Sequence, residues 1–120
     1  MTDADRKVDK IRARLRFPRG NRRYPHIADG GEIAARLDRF LGLLLVRRRL
    51  NVVTARLEIR FRKPINPAVF YPVEVEYNRC GNAYLVKAAV IKDGSVAVEA
   101  SALFLPFGGR NDDRRTPSGG

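Results

Sequence analysis

The stretch HIADGGEIAARLDRFLG, residues His26–Gly42, decides how this chain folds. Apolar residues recur at the spacing of one helix face directly after a glycine pair, which predicts a helix from near Gly31 to around Arg47. On a helical wheel at about 100° per residue, the acid Asp38 lies at the rim of the apolar stripe, away from the other charged side chains. Such a carboxylate is either a boundary residue that faces water or an arginine, or a partly desolvated general base.

The glycine pair Gly30-Gly31 at the predicted helix start allows two interpretations. The first N–H groups of a helix have no partner inside the helix, and glycine lets a ligand oxygen approach them closely. These amides are therefore candidates to hold an oxyanion. Alternatively, the glycines form a flexible turn, with Asp29 as N-cap and Asp29-x-x-Glu32 as a capping box.

The rest of the chain is predicted to add a short helix before the long one and a sheet after it. Residues 3–15 place Val8, Ile11 and Leu15 on one helix face. After the long helix, apolar residues alternate with polar ones, and Asp-Gly at 93–94 is a hairpin turn signal. Antiparallel strands in succession are predicted at residues 54–62, 72–79, 83–91 and 96–106. One long helix against one antiparallel sheet defines an α+β domain.

Composition restricts the class of partner. The 120 residues contain 24 Lys+Arg against 13 Asp+Glu, a net charge of +11 that attracts nucleic acid, acidic membrane surfaces or phosphorylated cofactors. The predicted strands lack the exposed aromatic series of a stacking platform, so nucleic acid is not expected. No apolar run reaches the roughly 18 residues of a membrane span, and the single cysteine, Cys80, excludes an internal disulfide. A cytoplasmic protein without a phosphate-loop motif, metal site or cofactor is predicted.

Two further stretches give the chain a specific resemblance. The helix carries the pattern G-G-x-x-x-x-x-x-D, formed by Gly30, Gly31 and Asp38. It is followed by the strand VVTARLEIRFRKP at Val52–Pro64 and by the closing strand EASALFLP at Glu99–Pro106. In this combination the chain resembles the hotdog-fold acyl-CoA thioesterases of the phenylacetate and thioesterase-superfamily type, over about residues 26–105.

The resemblance implies a hotdog fold, in which a curved antiparallel sheet wraps a long central helix. It implies a homodimer or a dimer of dimers as the assembly. The hotdog domain is expected over residues 26–106, after a basic N-terminal segment with a short helix over 1–25 and before a disordered tail over 107–120.

The resemblance also implies hydrolysis of an acyl-CoA thioester to free acid and CoA. Asp38 then activates water or attacks directly, the Gly30 and Gly31 amides polarise the carbonyl, and the Thr54 hydroxyl orients the water. Gly31 and Asp38 lie about 10 Å apart along the helix axis, so a two-fold partner is expected to bring its own glycine turn to Asp38. Strict strand alternation directs Thr54 away from the core, so only a local strand irregularity would turn it toward Asp38.

Several positions depart from the family pattern. Asp29 stands where the family commonly has His, and its carboxylate is able to occupy the amides that an oxyanion needs. Arg23 stands where part of the family has a substrate-contacting Asn, and His26 is a candidate to substitute functionally. Candidate ligands of the CoA phosphates are Arg47, Arg48, Arg49 and the arginines of RGNRR at 19–23. The alternative is a non-catalytic hotdog protein that binds acyl-CoA or another acyl ligand, or a hotdog protein acting on carrier-protein-bound acyl chains.

Overall fold

The computed structural model describes residues 8–19 and 26–107 of the chain. Five strands of these ranges form one antiparallel sheet in the order β1-β3-β4-β5-β2, and one helix accompanies it. The elements are β1 (Val8–Arg16), α1 (Gly30–Arg47), β2 (Val52–Phe61), β3 (Phe70–Cys80), β4 (Ala83–Lys92) and β5 (Ser95–Pro106). The predicted α+β class is confirmed, and the arrangement is compatible with a hotdog fold.

Helix α1 begins and ends where its sequence indicates. Asp29 is the N-cap, and its side chain accepts a hydrogen bond from the Gly31 N–H at 3.2 Å. The Ile33 N–H donates to the Asp29 carbonyl at 2.9 Å, which is the first helical hydrogen bond. Asp29 accepts from the Gly31 N–H and not from the Glu32 N–H, and among the described residues Glu32 makes no return bond to the Asp29 N–H, so Asp29 caps the helix without forming the predicted capping box.

The apolar stripe of α1 packs onto the sheet, mainly against β2 and β5. Its buried side chains recur every four residues: Ile33, Leu37, Leu41 and Leu45. They share one core with the buried strand residues Val73, Val75, Val86, Ala88, Val90, Ala100, Ala102 and Phe104. Because full burial of one such aliphatic side chain contributes about 1.5–3 kcal/mol, the stripe fixes the rotation of α1 and therefore the position of Asp38.

Strand β1 shows that the predicted helix over residues 3–15 is wrong in its described part. Residues 8–16 pair with β3 along their whole length. Ile11, Ala13 and Leu15 turn inward, while the basic residues between them are exposed. Side chains alternate in this way because the segment pairs with β3 as a strand, in which every second side chain faces the same side. Leu15 and Phe17 are buried in the core, so the packed domain begins ahead of the predicted boundary at residue 26.

The four predicted strands after α1 are present, but β2 does not neighbour β3. It pairs with β5 on the far side of the sheet, because Pro64 and Pro67 end strand geometry and the chain crosses over. The predicted Asp-Gly hairpin is confirmed. Asp93 and Gly94 both have positive φ angles, 53° and 79°, as a two-residue type I′ turn between β4 and β5 requires.

The C-terminus of α1 contains a residue in a strained conformation. Arg49 has φ 66°, its N–H donates to the Val46 carbonyl at 2.8 Å, and the Leu50 N–H donates to the Leu45 carbonyl at 3.0 Å. This is the Schellman pattern, in which glycine is preferred at the left-handed position.

Replacing Arg49 with glycine is therefore expected to raise the free energy of unfolding by about 0.5–1 kcal/mol. Urea denaturation followed by circular dichroism measures the change. Arg47→Gly, at a regular helical position of the same basic run, is the control and is expected to destabilise by a similar amount. A destabilised Arg49→Gly protein would contradict the strain argument.

Beyond β5, the Phe107 N–H donates to the Asn51 carbonyl at 2.9 Å. The rest of the predicted tail, residues 108–120, lies outside the described residues, as does the start of the chain through residue 7. In the described ranges, no helix has the length and apolar character needed to cross a bilayer.

Candidate functional site

The acid in the helix contacts a hydroxyl of the neighbouring strand. The Thr54 Oγ1 donates to Asp38 Oδ1 at 2.8 Å. The pairing of β2 with β5 shifts register between Thr54 and Arg56, so Ala55 forms a bulge. This is the irregularity that the sequence requires, because an extra residue reverses the side-chain alternation and turns Thr54 toward α1. Asp38 is half-buried and Thr54 is exposed, so the pair stays accessible from solvent.

The glycine pair lies at the first turn of α1. Gly30 is half-buried and its N–H has no acceptor within the described ranges, whereas the Gly31 N–H is bonded to the Asp29 carboxylate. A Cβ on Gly31 would lie 3.3 Å from Asp29 Oδ2, so glycine lets the carboxylate approach this closely. Of the two glycine amides, the Gly30 N–H is therefore open to a ligand, and the Gly31 N–H becomes so only when the Asp29 side chain moves away.

Contacts with the crossover segment hold the helix start in place. The Ala28 N–H donates to the Ile65 carbonyl at 2.7 Å, and both side chains are buried. The Asn66 side chain donates to the His26 carbonyl at 3.3 Å, and the Tyr71 hydroxyl donates to Asn66 Oδ1 at 3.1 Å. These bonds fix the position of the Gly30 amide relative to the sheet.

Within one protomer the two halves of the predicted site are not brought together. Gly31 and Asp38 lie on one straight helix, about 10 Å apart along its axis. The distance is too large for one thioester carbonyl to bind the amides while its carbon lies beside the Asp38 carboxylate. The structure therefore contains the glycine turn and the Asp38–Thr54 pair as two separate groups within one protomer.

The predicted phosphate-binding arginines lie at the other end of α1. Arg47, Arg48 and Arg49 are exposed, and the Arg48 guanidinium stacks on Tyr77 at 5.4 Å from the ring centroid. The His26 side chain is also exposed. Arg23 lies outside the described residues. Within the described ranges, the structure shows no contact of Asp38 with Arg47–Arg49 or with His26, so the roles of these residues stay predictions.

An aromatic residue at the helix start escapes the sequence analysis. The Phe61 ring lies 3.4 Å from the position of a Cβ built on Gly30, and half of the Phe61 side chain is exposed. Ile27 is also largely exposed. These two side chains give the helix start an apolar wall. Phe61 is the last residue of β2, so strand alternation alone gives no sign that it reaches α1.

A wide surface depression, of about 1280 Å³, is separate from these groups. It runs across the middle of all five strands and contains none of the predicted site residues. Its most prominent side chains are charged: Lys10, Arg12, Glu58, Arg60, Glu74, Glu76, Lys87 and Glu99. In the part of the chain that the structure describes, no group of three or more His, Cys, Asp or Glu residues is placed to hold a metal ion.

Comparisons of sequence give no family for this chain, since no protein-family model and no curated protein match it. Solved structures do match. The chain is similar to a thioesterase superfamily protein from Shewanella loihica, with a TM-score of 0.62 and 19% identity over 82% of this chain and 83% of that one. It is also similar to a phenylacetic acid degradation-related protein from Ralstonia eutropha, with a TM-score of 0.65 and 18% identity over 83% of each chain.

A third similar structure carries a ligand. It is a protein from Streptococcus mutans bound to acetyl-CoA, with a TM-score of 0.63 and 15% identity over 82% of this chain and 81% of that one. At identities this low, similarity establishes a shared fold. The chain therefore has the α+β fold of thioesterase superfamily proteins, in agreement with the resemblance in its helix and strand patterns.

Proposed function

We propose that this protein is an acyl-CoA thioesterase that works as a homodimer. The observation that carries the proposal is the 2.8 Å hydrogen bond from Thr54 to Asp38, made possible by a strand bulge that serves no evident packing purpose. The fold shared with thioesterase superfamily proteins, and the acetyl-CoA on one of the similar structures, support the same substrate class.

In the proposed reaction, the Asp38 carboxylate accepts a proton from a water molecule as the water oxygen attacks the thioester carbon. The carbonyl oxygen becomes an oxyanion and is held by the Gly30 amide of the partner subunit, with the Gly31 amide joining when Asp29 moves away. The C–S bond then breaks, and Asp38 returns the proton to the leaving thiolate. Direct attack by Asp38 would instead give an acyl anhydride that water hydrolyses.

The surface of the protomer supports the proposed dimer. Strand β2 is an edge strand, so one side of its ten residues has no backbone partner in the described part of the protomer. Exposed apolar side chains lie on this strand, namely Val53 and Phe61. A two-fold axis beside β2 would cover them and pair each Asp38 with the other glycine turn.

The experiment that tests the function is release of free thiol from a panel of acyl-CoAs of different chain length and aromatic character. We expect turnover of at least one of them by a particle of about twice the 13.5 kDa chain mass, measured by light scattering. An active monomer would contradict the shared site. A dimer that binds CoA but hydrolyses none of the thioesters would contradict the enzyme.

A second candidate function is favoured by the Asp29 carboxylate at the helix start. Its bond to the Gly31 N–H fills an amide that the oxyanion would use, and its charge repels the developing negative charge. Both effects suit a non-catalytic protein that binds acyl-CoA or another acyl ligand. The effect of the Asp29 carboxylate on activity therefore distinguishes the enzyme from the non-catalytic binding protein.

Asp29→Asn separates these effects, because Asn caps helices as well as Asp does while removing the charge. If the protein is an enzyme, kcat should rise about fivefold, as expected for removing roughly 1 kcal/mol of charge repulsion in a partly hydrated site. Steady-state kinetics measure the change. Asp29→Ala is the control for the cap, and it should lower the free energy of unfolding by about 1 kcal/mol. A lower kcat in Asp29→Asn would assign Asp29 a positive role.

A further inference from the structure

A small basic surface depression, called the basic cavity below, lies between the end of β1 and the solvent-facing side of α1. Its volume is about 290 Å³, and three guanidinium groups and one carboxylate give its lining a net charge of +2. The lining residues are Arg16, Phe17, Pro18, Glu32, Arg36 and Arg39. The sequence analysis does not single out this cluster, because Arg16 comes from a strand that is far from the helix along the chain.

The three arginines are gathered without a carboxylate that neutralises them. In the described ranges, the ion pairs join Arg12 to Glu74 and Arg62 to Glu99, and none involves an arginine of the cavity. Arginines brought together in this way repel one another unless an anion lies between them. The cavity is therefore a place where an added anion removes repulsion.

One of the arginines is held in position by an aromatic ring. The Arg16 guanidinium lies 5.1 Å from the centroid of the Phe70 ring, and Arg14 lies 5.2 Å from the same centroid. Arg36 and Arg39 are three residues apart and so lie on one side of α1. Preorganised guanidinium groups lose less conformational entropy when they bind a ligand.

We propose that this cavity binds the phosphate group of an organic phosphate, as a phosphomonoester or a diphosphate. Arginine forks match phosphate oxygens in pairs, which makes arginine the usual residue for phosphate recognition. The cavity is at the small end of the range of about 300–1,000 Å³ for ligand pockets, so it fits a phosphate with a short attached group. The phosphate belongs either to coenzyme A, a case that rests on the proposed function, or to a separate organic phosphate.

Substitution of Glu32 is expected to change phosphate affinity in the direction opposite to substitution of the arginines. Its carboxylate lines the same cavity and repels a phosphate, so Glu32→Gln should tighten phosphate binding about threefold. Arg36→Gln/Arg39→Gln should weaken it by at least about tenfold, because two charge-assisted contacts are lost. A rise in affinity on removal of one charge and a fall on removal of others locate the phosphate in this cavity.

The experiment is calorimetric titration of the full chain with adenosine 3′,5′-bisphosphate, pyrophosphate and CoA. The matched control is Arg79→Gln/Lys87→Gln, which removes the same charge from exposed positions. Arg79 lies nine residues along β3 from Phe70, about 30 Å away. The control should change affinity less than twofold. Equal weakening in the control and in the Arg36/Arg39 variant, or no binding to wild type, would overturn the proposal.

Competition identifies the source of the phosphate. If CoA displaces adenosine 3′,5′-bisphosphate and the Arg36/Arg39 variant raises KM for acyl-CoA with kcat unchanged, the phosphate is that of the coenzyme. If CoA does not compete, the cavity binds a separate organic phosphate. Both results support the site, and neither requires turnover, so an inactive protein would refute the thioesterase without refuting the cavity. Should the double variant unfold, Arg16→Gln and Glu32→Gln carry the same test in opposite directions.

Discussion

Asp38→Asn should lower kcat for acyl-CoA hydrolysis by about 10²–10⁴-fold, with KM nearly unchanged. An amide cannot accept the proton of the attacking water, and loss of a general base has an effect of this size. The variant should fold normally, because the Asn oxygen can still accept the Thr54 hydroxyl bond seen at 2.8 Å and Asp38 is only half-buried. Thiol release under saturating substrate measures the change.

Asp93→Asn is the matched control for this substitution. It makes the same chemical change in the β4–β5 turn, where φ is 53° and Asn is as well accommodated as Asp, so activity and stability should stay at the wild-type level. Retained turnover in Asp38→Asn would move the chemistry to another residue. Glu32, in the first turn of α1, would then be the first candidate.

The shared site can be tested by mixing inactive variants. If each site uses Asp38 of one subunit and the glycine turn of its partner, a heterodimer of Asp38→Asn and Gly30→Val subunits contains one intact site, because a side chain at Gly30 crowds the amide proposed to hold the oxyanion. Random exchange makes half of the dimers heterodimers, so activity should return to about a quarter of the wild-type value. No recovery after exchange, confirmed with differently tagged subunits, would mean that the two halves do not meet across an interface.

The sequence predicts those parts of the structure that local patterns determine. Helix α1 follows from its four-residue apolar spacing, from Asp29 as N-cap and from the glycine pair. The β4–β5 hairpin follows from Asp93-Gly94. In both cases the residues that decide the conformation lie within one turn of each other, so no information about the rest of the chain is needed.

Features that depend on contacts between residues far apart along the chain are harder to predict from the sequence. The segment of β1 fits a helical spacing and a strand spacing equally, and only its pairing with β3 decides between them. The pairing of β2 with β5 in place of β3 is likewise a property of the whole sheet. The basic cavity brings Arg16 of β1 beside Arg36 of α1, a contact between two elements that no local pattern shows, so the sequence predicts phosphate ligands at Arg47–Arg49 and at 19–23 instead.

The contact between Thr54 and Asp38 is an intermediate case. The sequence identifies both residues through a family resemblance and states the condition for their meeting, which is a break in strand alternation. The pairing of β2 with β5 decides the position of that break, because its register shifts between Thr54 and Arg56. A bulge that turns one hydroxyl toward one carboxylate lowers the regularity of an edge strand, and under the proposed function it serves to direct Thr54 to Asp38.

Thr54→Val should lower kcat about 10- to 100-fold while Thr54→Ser stays within about threefold of wild type. Valine has the shape of threonine without the hydroxyl, and a catalytic group misplaced by about 1 Å costs up to about 100-fold in rate. Thr54 is exposed, so the free energy of unfolding should change by less than about 0.5 kcal/mol. A comparable loss of activity in Thr54→Ser would point to the methyl group or the strand shape instead of the hydroxyl.

Combining the two substitutions tells positioning apart from mere structural support. If the hydroxyl acts by orienting the Asp38 carboxylate through their 2.8 Å bond, Thr54→Val should cost almost nothing further once Asp38 is Asn. A double variant about 10- to 100-fold less active than Asp38→Asn alone would show that Thr54 acts independently, for example on the water molecule itself. Non-additivity confined to kcat, with unfolding free energies that add, would establish that the bulge in β2 serves the carboxylate in α1.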